Sequence, residues 1–244
     1  MNRLLFLAAI VAAAASCTVL EDRDACPRTV RLLYEGCTGN AAYYVTSGGD
    51  VLLSGTTDCD MTSEERLKVA ANVVSFAAAF DVSEIQAESG RILLSPGEEP
   101  SEITGFVSRD LMLDEFGHDI VVSPCRQTCR LVIRLDGYGE KDLRCVVESS
   151  AGGLDLHTMM PLRGEYKVTK EPVGGVAEFV VFRQDFDDLR LRITERIGSV
   201  YPALSTFSLT PLLEDIGYDW DSRSLQDIMI EVKAGDENVM VSIL

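Results

Sequence analysis

Histidine is nearly absent from this chain, with His118 and His157 the only two among 244 residues. That excludes a three-histidine metal site, and it confines any histidine-based acid–base chemistry to one of two positions. Basic clusters are also missing. Against 39 acidic residues stand 22 basic ones, for a net charge of −17, so the surface repels phosphate backbones and anionic headgroups and nucleic acid is not an expected partner. The acidity itself is the ordinary means of keeping an exported protein soluble. No G-x-S-x-G elbow and no G-x-x-x-x-G-K phosphate loop occurs. Gly137–Asp142, GYGEKD, opens like a dinucleotide fingerprint but lacks its third glycine and joins two predicted strands, so it reads as a turn. Residues 219–227, DWDSRSLQD, carry Asp219 and Asp221 in calcium-loop spacing, but Arg223 and the missing central glycine spoil the match. In LDEFGHDI, His118 lies among Asp114, Glu115 and Asp119, which reads as a solvated hairpin loop; His157, in LDLHTMM, falls on a predicted strand facing solvent. No catalytic residue, metal site or cofactor is expected.

Long apolar runs are missing too, except at the start. Arg3 precedes the apolar stretch Leu4–Ala15, too short to span a bilayer, and the small residues Ala14, Ala15 and Ser16 lead into Cys17. Residues 1–16 read as an export signal, Cys17 as a lipidated cysteine, and residues 17–25 as an acidic tether. The alternative is plain cleavage after an A-x-A tripeptide, with Cys17 left as a disulfide partner. Cysteine parity favours lipidation: of seven cysteines, Cys17 takes the lipid and Cys26, Cys37, Cys59, Cys125, Cys129 and Cys145 remain, an even set for disulfides in an oxidising compartment. Sequence alone does not fix their pairing.

Most of the remainder alternates apolar and polar residues between Gly, Asp, Ser and Pro, the pattern of half-buried antiparallel strands. Leu189–Glu195 is the clearest case. One helix is expected over Ser63–Phe80, capped by Thr62 or Ser63, with Leu67, Ala70, Ala71, Val74 and Ala78 as a stripe of small side chains. A short second helix or turn is expected over Pro211–Ile216. Cys26, Thr29, Arg31 and Leu32 recur as Cys125, Thr128, Arg130 and Leu131 at a constant offset of 99 residues, and each set opens a strand. The echo predicts two tandem β domains, 26–124 and 125–244, meeting at Pro124. Three of the six cysteines then fall in each half, so full oxidation requires a bridge between halves, with Cys26 and one of Cys125 or Cys129 as candidates.

The segment EDRDACP followed by the strand TVRLLY resembles the fimbrial anchor subunits of Bacteroidota, the FimB-like family of the fimbrillin superfamily. Asp22, Arg23, Cys26 and Pro27 fit its D-R-x-x-C-P pattern, and Val122–Gly137, with CRLVIRLDG, resembles the entry into that family's second domain. Residues 37–80, with two cysteines, depart from its first-domain pattern. The resemblance implies two transthyretin-like β-sandwiches held by a lipid at the outer membrane, facing the cell surface, with fimbrial shaft or accessory subunits as partners joined by strand exchange. The alternative class is a surface glycan-binding lipoprotein, which would use exposed aromatic rings; Trp220 and one of the adjacent Tyr43 and Tyr44 are its candidates.

Overall fold

The computed structural model describes residues 27–59, 64–114, 117–235 and 239–244; the leader, Cys17, the tether and Cys26 lie outside them. In chain order the strands of the first half are β1 (Arg28–Tyr34), β2 (Gly39–Ser47), β3 (Asp50–Cys59), β4 (Glu64–Val69) and β5 (Val73–Phe80). Helix α1 (Glu84–Ser89) follows, then β6 (Arg91–Leu93), β7 (Thr104–Met112), β8 (His118–Val122) and β9 (Cys125–Arg126). The second half has β10 (Thr128–Asp136), β11 (Leu143–Asp155), β12 (Met160–Lys170), β13 (Val176–Phe182), β14 (Arg190–Glu195) and β15 (Ala203–Ser208). Helix α2 (Leu209–Asp215), β16 (Ile228–Lys233) and β17 (Val239–Ile243) complete it. The protein is mainly β.

The strands form four sheets: β4-β1-β8, β3-β2-β5-β7-β9, β13-β10-β16-β17 and β12-β11-β14-β15, the last also paired with β6. Replacing β1, β2, β3, β4, β5, β7 and β8 by β10 to β16 in order converts the first two sheets into the last two, apart from β9 beside β7, β17 beside β16 and β6 beside β11. β1 has an antiparallel neighbour, β4, and a parallel one, β8. β10 has the same pair in β13 and β16. The sequence echo thus marks equivalent central strands, and the burial agrees: Val30, Leu32 and Tyr34 face one core, Cys129, Leu131 and Ile133 the other, all at 1% exposure or less. Residues 125–126, just past the expected junction, form β9 and pair with β7.

Three apolar clusters hold these sheets. One joins β1, β4 and β8 to β2, β5 and β7 through Leu32, Phe76 and Val122. The second joins β10, β13 and β16 to β11, β12 and β14 through Ile133, Phe179 and Leu191. The third lies between the halves, where Tyr44, Ala77 and Ala79 on the other face of β2 and β5 meet Leu154, Leu156 and Phe182. β5 is therefore covered on both faces, and every residue from Phe76 to Phe80 is at 2% exposure or less.

That two-sided burial overturns the helix expected over Ser63–Phe80. Glu64–Val69 and Val73–Phe80 are strands, while Ser63 lies outside the described residues. A strand buried on both faces shows a continuous apolar run, which periodicity cannot separate from a helix. The helix of the first half is instead α1, where Ser83 and Gln86 form a capping box and Gly90, at φ +65°, ends the turn. It closes over β2 by accepting a 2.7 Å hydrogen bond from the Tyr44 hydroxyl at the Ala87 carbonyl. The second helix lies where expected, two residues earlier at its start.

Candidate functional site

The two halves differ at one edge. In the second half β17 pairs along β16 and covers it; in the first half β8, the counterpart of β16, pairs only with β1 among the described residues. The Glu35 N–H donates to the Val122 carbonyl at 3.0 Å, so Val122, Ile120 and His118 turn their main-chain groups toward β1. By strand alternation, Asp119 and Val121 turn theirs outward. In the facing sheet the two-residue β9 pairs with β7 only at Thr104 and Gly105, so the rest of β7 has no neighbour beyond β5 among the described residues.

A groove of about 390 Å³ opens between these two edges, lined by Phe106, Val107 and Leu111 of β7, Ile120 and Val121 of β8, and Arg223. It shares Phe106, Val107 and Arg223 with a cleft of about 630 Å³ that continues to the junction past Gln127 and Arg183. Ser108, His118 and Asp119 also line it, so the groove offers outward main-chain groups beside mixed polar and apolar side chains, and main-chain groups at a sheet edge are what an extended peptide needs in order to add to a sheet.

The adjoining cleft is organised by Arg183, at 6% exposure. Its Nε and Nη2 donate to Gln127 Oε1 at 3.2 and 3.0 Å, and its Nη1 donates to the Trp220 carbonyl and, at 2.8 Å, to the Ser222 carbonyl. This fixes the loop 219–227 and sets the Arg223 guanidinium 5.4 Å from the centre of the Phe106 ring. The segment that spoiled a calcium loop is thus the end of the groove. Asp227 pins the same loop, accepting from Arg126 Nη2 at 2.6 Å and the Arg130 N–H at 2.9 Å. Its burial pushes its pKa up, but these bonds and the two guanidinium charges prevail and hold it below the ordinary 3.8. A depressed carboxylate stabilises the fold above its ordinary pKa and ceases to as pH falls through its folded value. Asp227→Asn is therefore expected to cost about 1–2 kcal/mol near neutrality. In urea titrations across pH, the gap from the wild type should close as pH falls through the depressed folded pKa of Asp227, below the ordinary carboxylate range.

His118 stands at the start of β8 and lines the groove, on a strand and not in a loop. His157 sits in a turn after β11, not on a strand, with its ring 4.5 Å from that of Tyr44 and packed on Gly90. The two histidines share no site. Asp119 pairs with Arg31 across β1 and β8. Neither Tyr43 nor Tyr44 points outward, at 8% and 2% exposure, because β2 is covered on both faces. Trp220 is half-buried and stacks edge-on against Tyr218 at 4.8 Å. No described aromatic residue is exposed, which removes the flat stacking platform expected of a glycan binder.

Cys37, Cys59, Cys125, Cys129 and Cys145 are all free thiols in this structure, so no bridge is present where disulfides were expected. Cys125 lines the cleft and donates to the Ser123 carbonyl at 3.4 Å. Cys129 is buried in the second core, in the same cluster as Tyr218. Cys26, the other end of the expected clasp, is outside the described residues. Sequence reasoning missed β7, β8 and Arg183; the signal for the strands was the short runs FVSRDL, after Gly105, and HDIVV, between Gly117 and Ser123–Pro124.

No protein-family model and no curated protein matches this sequence. Solved structures do. The fimbrial anchor protein Mfa2 from Porphyromonas gingivalis superposes with a TM-score of 0.65, at 11% identity over 90% of this chain and 97% of its own. The chain shares its fold. A Bacteroides thetaiotaomicron protein of the DUF1812 group, proposed to bind polysaccharide, gives a TM-score of 0.59 at 13% identity, covering 89% of this chain and 95% of its own. A second protein of that organism, proposed to be an adhesin, gives 0.55 at 13% identity, covering 89% and 96%.

Proposed function

We propose that this chain is a non-catalytic outer-membrane lipoprotein that anchors or helps assemble a cell-surface fimbria, taking a shaft or accessory subunit's strand along the open edge of β8. The observation that carries this reading is the asymmetry between the halves. One edge is filled by β17, and its counterpart is left unpaired among the described residues, beside a groove of mixed polar and apolar lining. The fold shared with a fimbrial anchor protein supports it, as do the leader and Cys17. On this reading residues 26–124 and 125–244 act as two β-sandwich domains. An extended tether from Cys17 to Ala25 would hold the first of them up to roughly 30 Å from the acyl chains. The groove has the shape for a strand, and the described surface lacks exposed aromatics, so glycan binding is the weaker reading.

Whole-cell protease accessibility and intact mass of the wild type and Cys17→Ala test the anchor. The wild type should carry an acyl mass, stay with the outer-membrane fraction and be cleavable on intact cells; the variant should lose the mass and the membrane association. A wild type that is unmodified and soluble would remove the anchoring mechanism.

A further inference from the structure

Cys37 and Cys59 meet at one end of the first core. Gly36 and Gly39 both adopt left-handed φ, +71° and +89°, and the bend they make carries Cys37 back toward the neighbouring strand. Cys59 ends β3 and is the Cα partner of Gly39. The two side chains lie in the same apolar cluster, each feels the other electrostatically, and both are nearly closed to water, at 3% and 5% exposure. A side chain at Gly39 would be strained at this φ and would displace the Asp81 carboxylate, whose Oδ1 would lie 2.9 Å from the added Cβ. Tyr34 packs in the same cluster, with its hydroxyl buried and without a hydrogen-bond partner. A pocket this dry gives two thiols little hydrogen bonding.

We propose that Cys37 and Cys59 are joined by a disulfide in the exported protein, tying the open end of the β2–β3 hairpin. Two S–H bonds break and one S–S bond forms. The two electrons reduce an incoming disulfide, that of a thiol–disulfide oxidoreductase or of oxidised glutathione: its S–S bond breaks, and its two sulfurs take up, through solvent, the equivalent of the two protons released, leaving as two thiols. The proposal rests on export to an oxidising compartment and not on the fimbrial role. Timing follows from burial. Burial pushes the Cys59 thiol up to about 12 and raises that of Cys37 as well, and a protonated thiol is a poor nucleophile. The bond therefore forms before this end of the core closes, and the packed core then shields it from reductant.

The full-length chain, refolded from denaturant in a glutathione redox buffer and blocked with N-ethylmaleimide, tests the pairing without reference to export. Residues 32–66 form one tryptic fragment that holds both cysteines, so chymotrypsin is added to cut at Tyr43 and Tyr44 between them. The Cys37 and Cys59 fragments should be found linked, and should separate on reduction. Refolding with reductant present should lower Tm by on the order of 5–10 °C, and Cys37→Ser should reproduce that loss and leave Cys59 open to alkylation in denaturant. Maleimide or glutathione on both cysteines of the oxidatively refolded wild type, or either one linked to another cysteine, would overturn the proposal. The same digest of protein extracted from its native membrane, with the mass of its N-terminus, reads export separately: a retained leader refutes export while the refolding result still decides the pairing.

Discussion

Val121→Pro should weaken capture of a fimbrial subunit's strand at least tenfold and leave the fold intact. The Val121 N–H points away from β1, into the side of β8 that no described strand occupies, so proline removes a donor that only a partner uses. Edge strands tolerate proline on their outward side, and Val121 is 43% exposed, so the stability cost should stay below about 1 kcal/mol. One lost main-chain bond accounts for about 1 kcal/mol, and the ring's steric block on an incoming strand supplies the rest of a tenfold change. Surface plasmon resonance against purified shaft and accessory subunits measures the first effect, and urea unfolding the second. Unchanged binding with an intact fold would move the acceptor edge elsewhere, while leaving the lipid anchor untouched.

Arg183→Met should cost about 3 kcal/mol, the largest loss of stability expected from a single polar group here. Methionine keeps most of the side chain's bulk but deprives Gln127, Trp220 and Ser222 of the guanidinium that now satisfies their buried oxygens. For a chain of this size that corresponds to a fall in Tm of about 6–12 °C. The loop 219–227 would also lose its tie, releasing Arg223 from Phe106 and opening the end of the groove. Arg109 supplies the comparison: it is exposed and makes one bond, to the Thr158 carbonyl at 3.1 Å, so Arg109→Met should change stability by less than about 0.5 kcal/mol. Equal losses in the two variants would show that Arg183 does not organise the junction.

Strands covered on one face were plain in the sequence. Leu191 and Ile193 alternate with Arg190 and Arg192, and this strand was expected within a residue of where it lies. Its period of two records a single boundary between core and water. The run VVSFAAAF has no such boundary, since one face packs in the first core and the other between the halves. Its alanines are small because two surfaces close on them, not because they belong to a helix. α1 escaped notice because a six-residue helix with no buried residue leaves no apolar stripe; only its capping residues Ser83, Gln86 and Gly90 betray it.

By itself the sequence determined the β class, the doubled strand opening at residues 26–32 and 125–131, the shortage of histidine and basic clusters, and the export pattern around Cys17. These are properties of composition and of near neighbours along the chain, where side-chain type and period suffice. Tertiary structure decided which edge stays open, that Arg183 ties Gln127 to the loop 219–227, and that Cys37 meets Cys59. Each depends on residues distant in sequence brought together by strand order, and strand order is a matter of which edges find partners. β16 finds one in β17, and β8, its counterpart, pairs with β1 alone among the described residues.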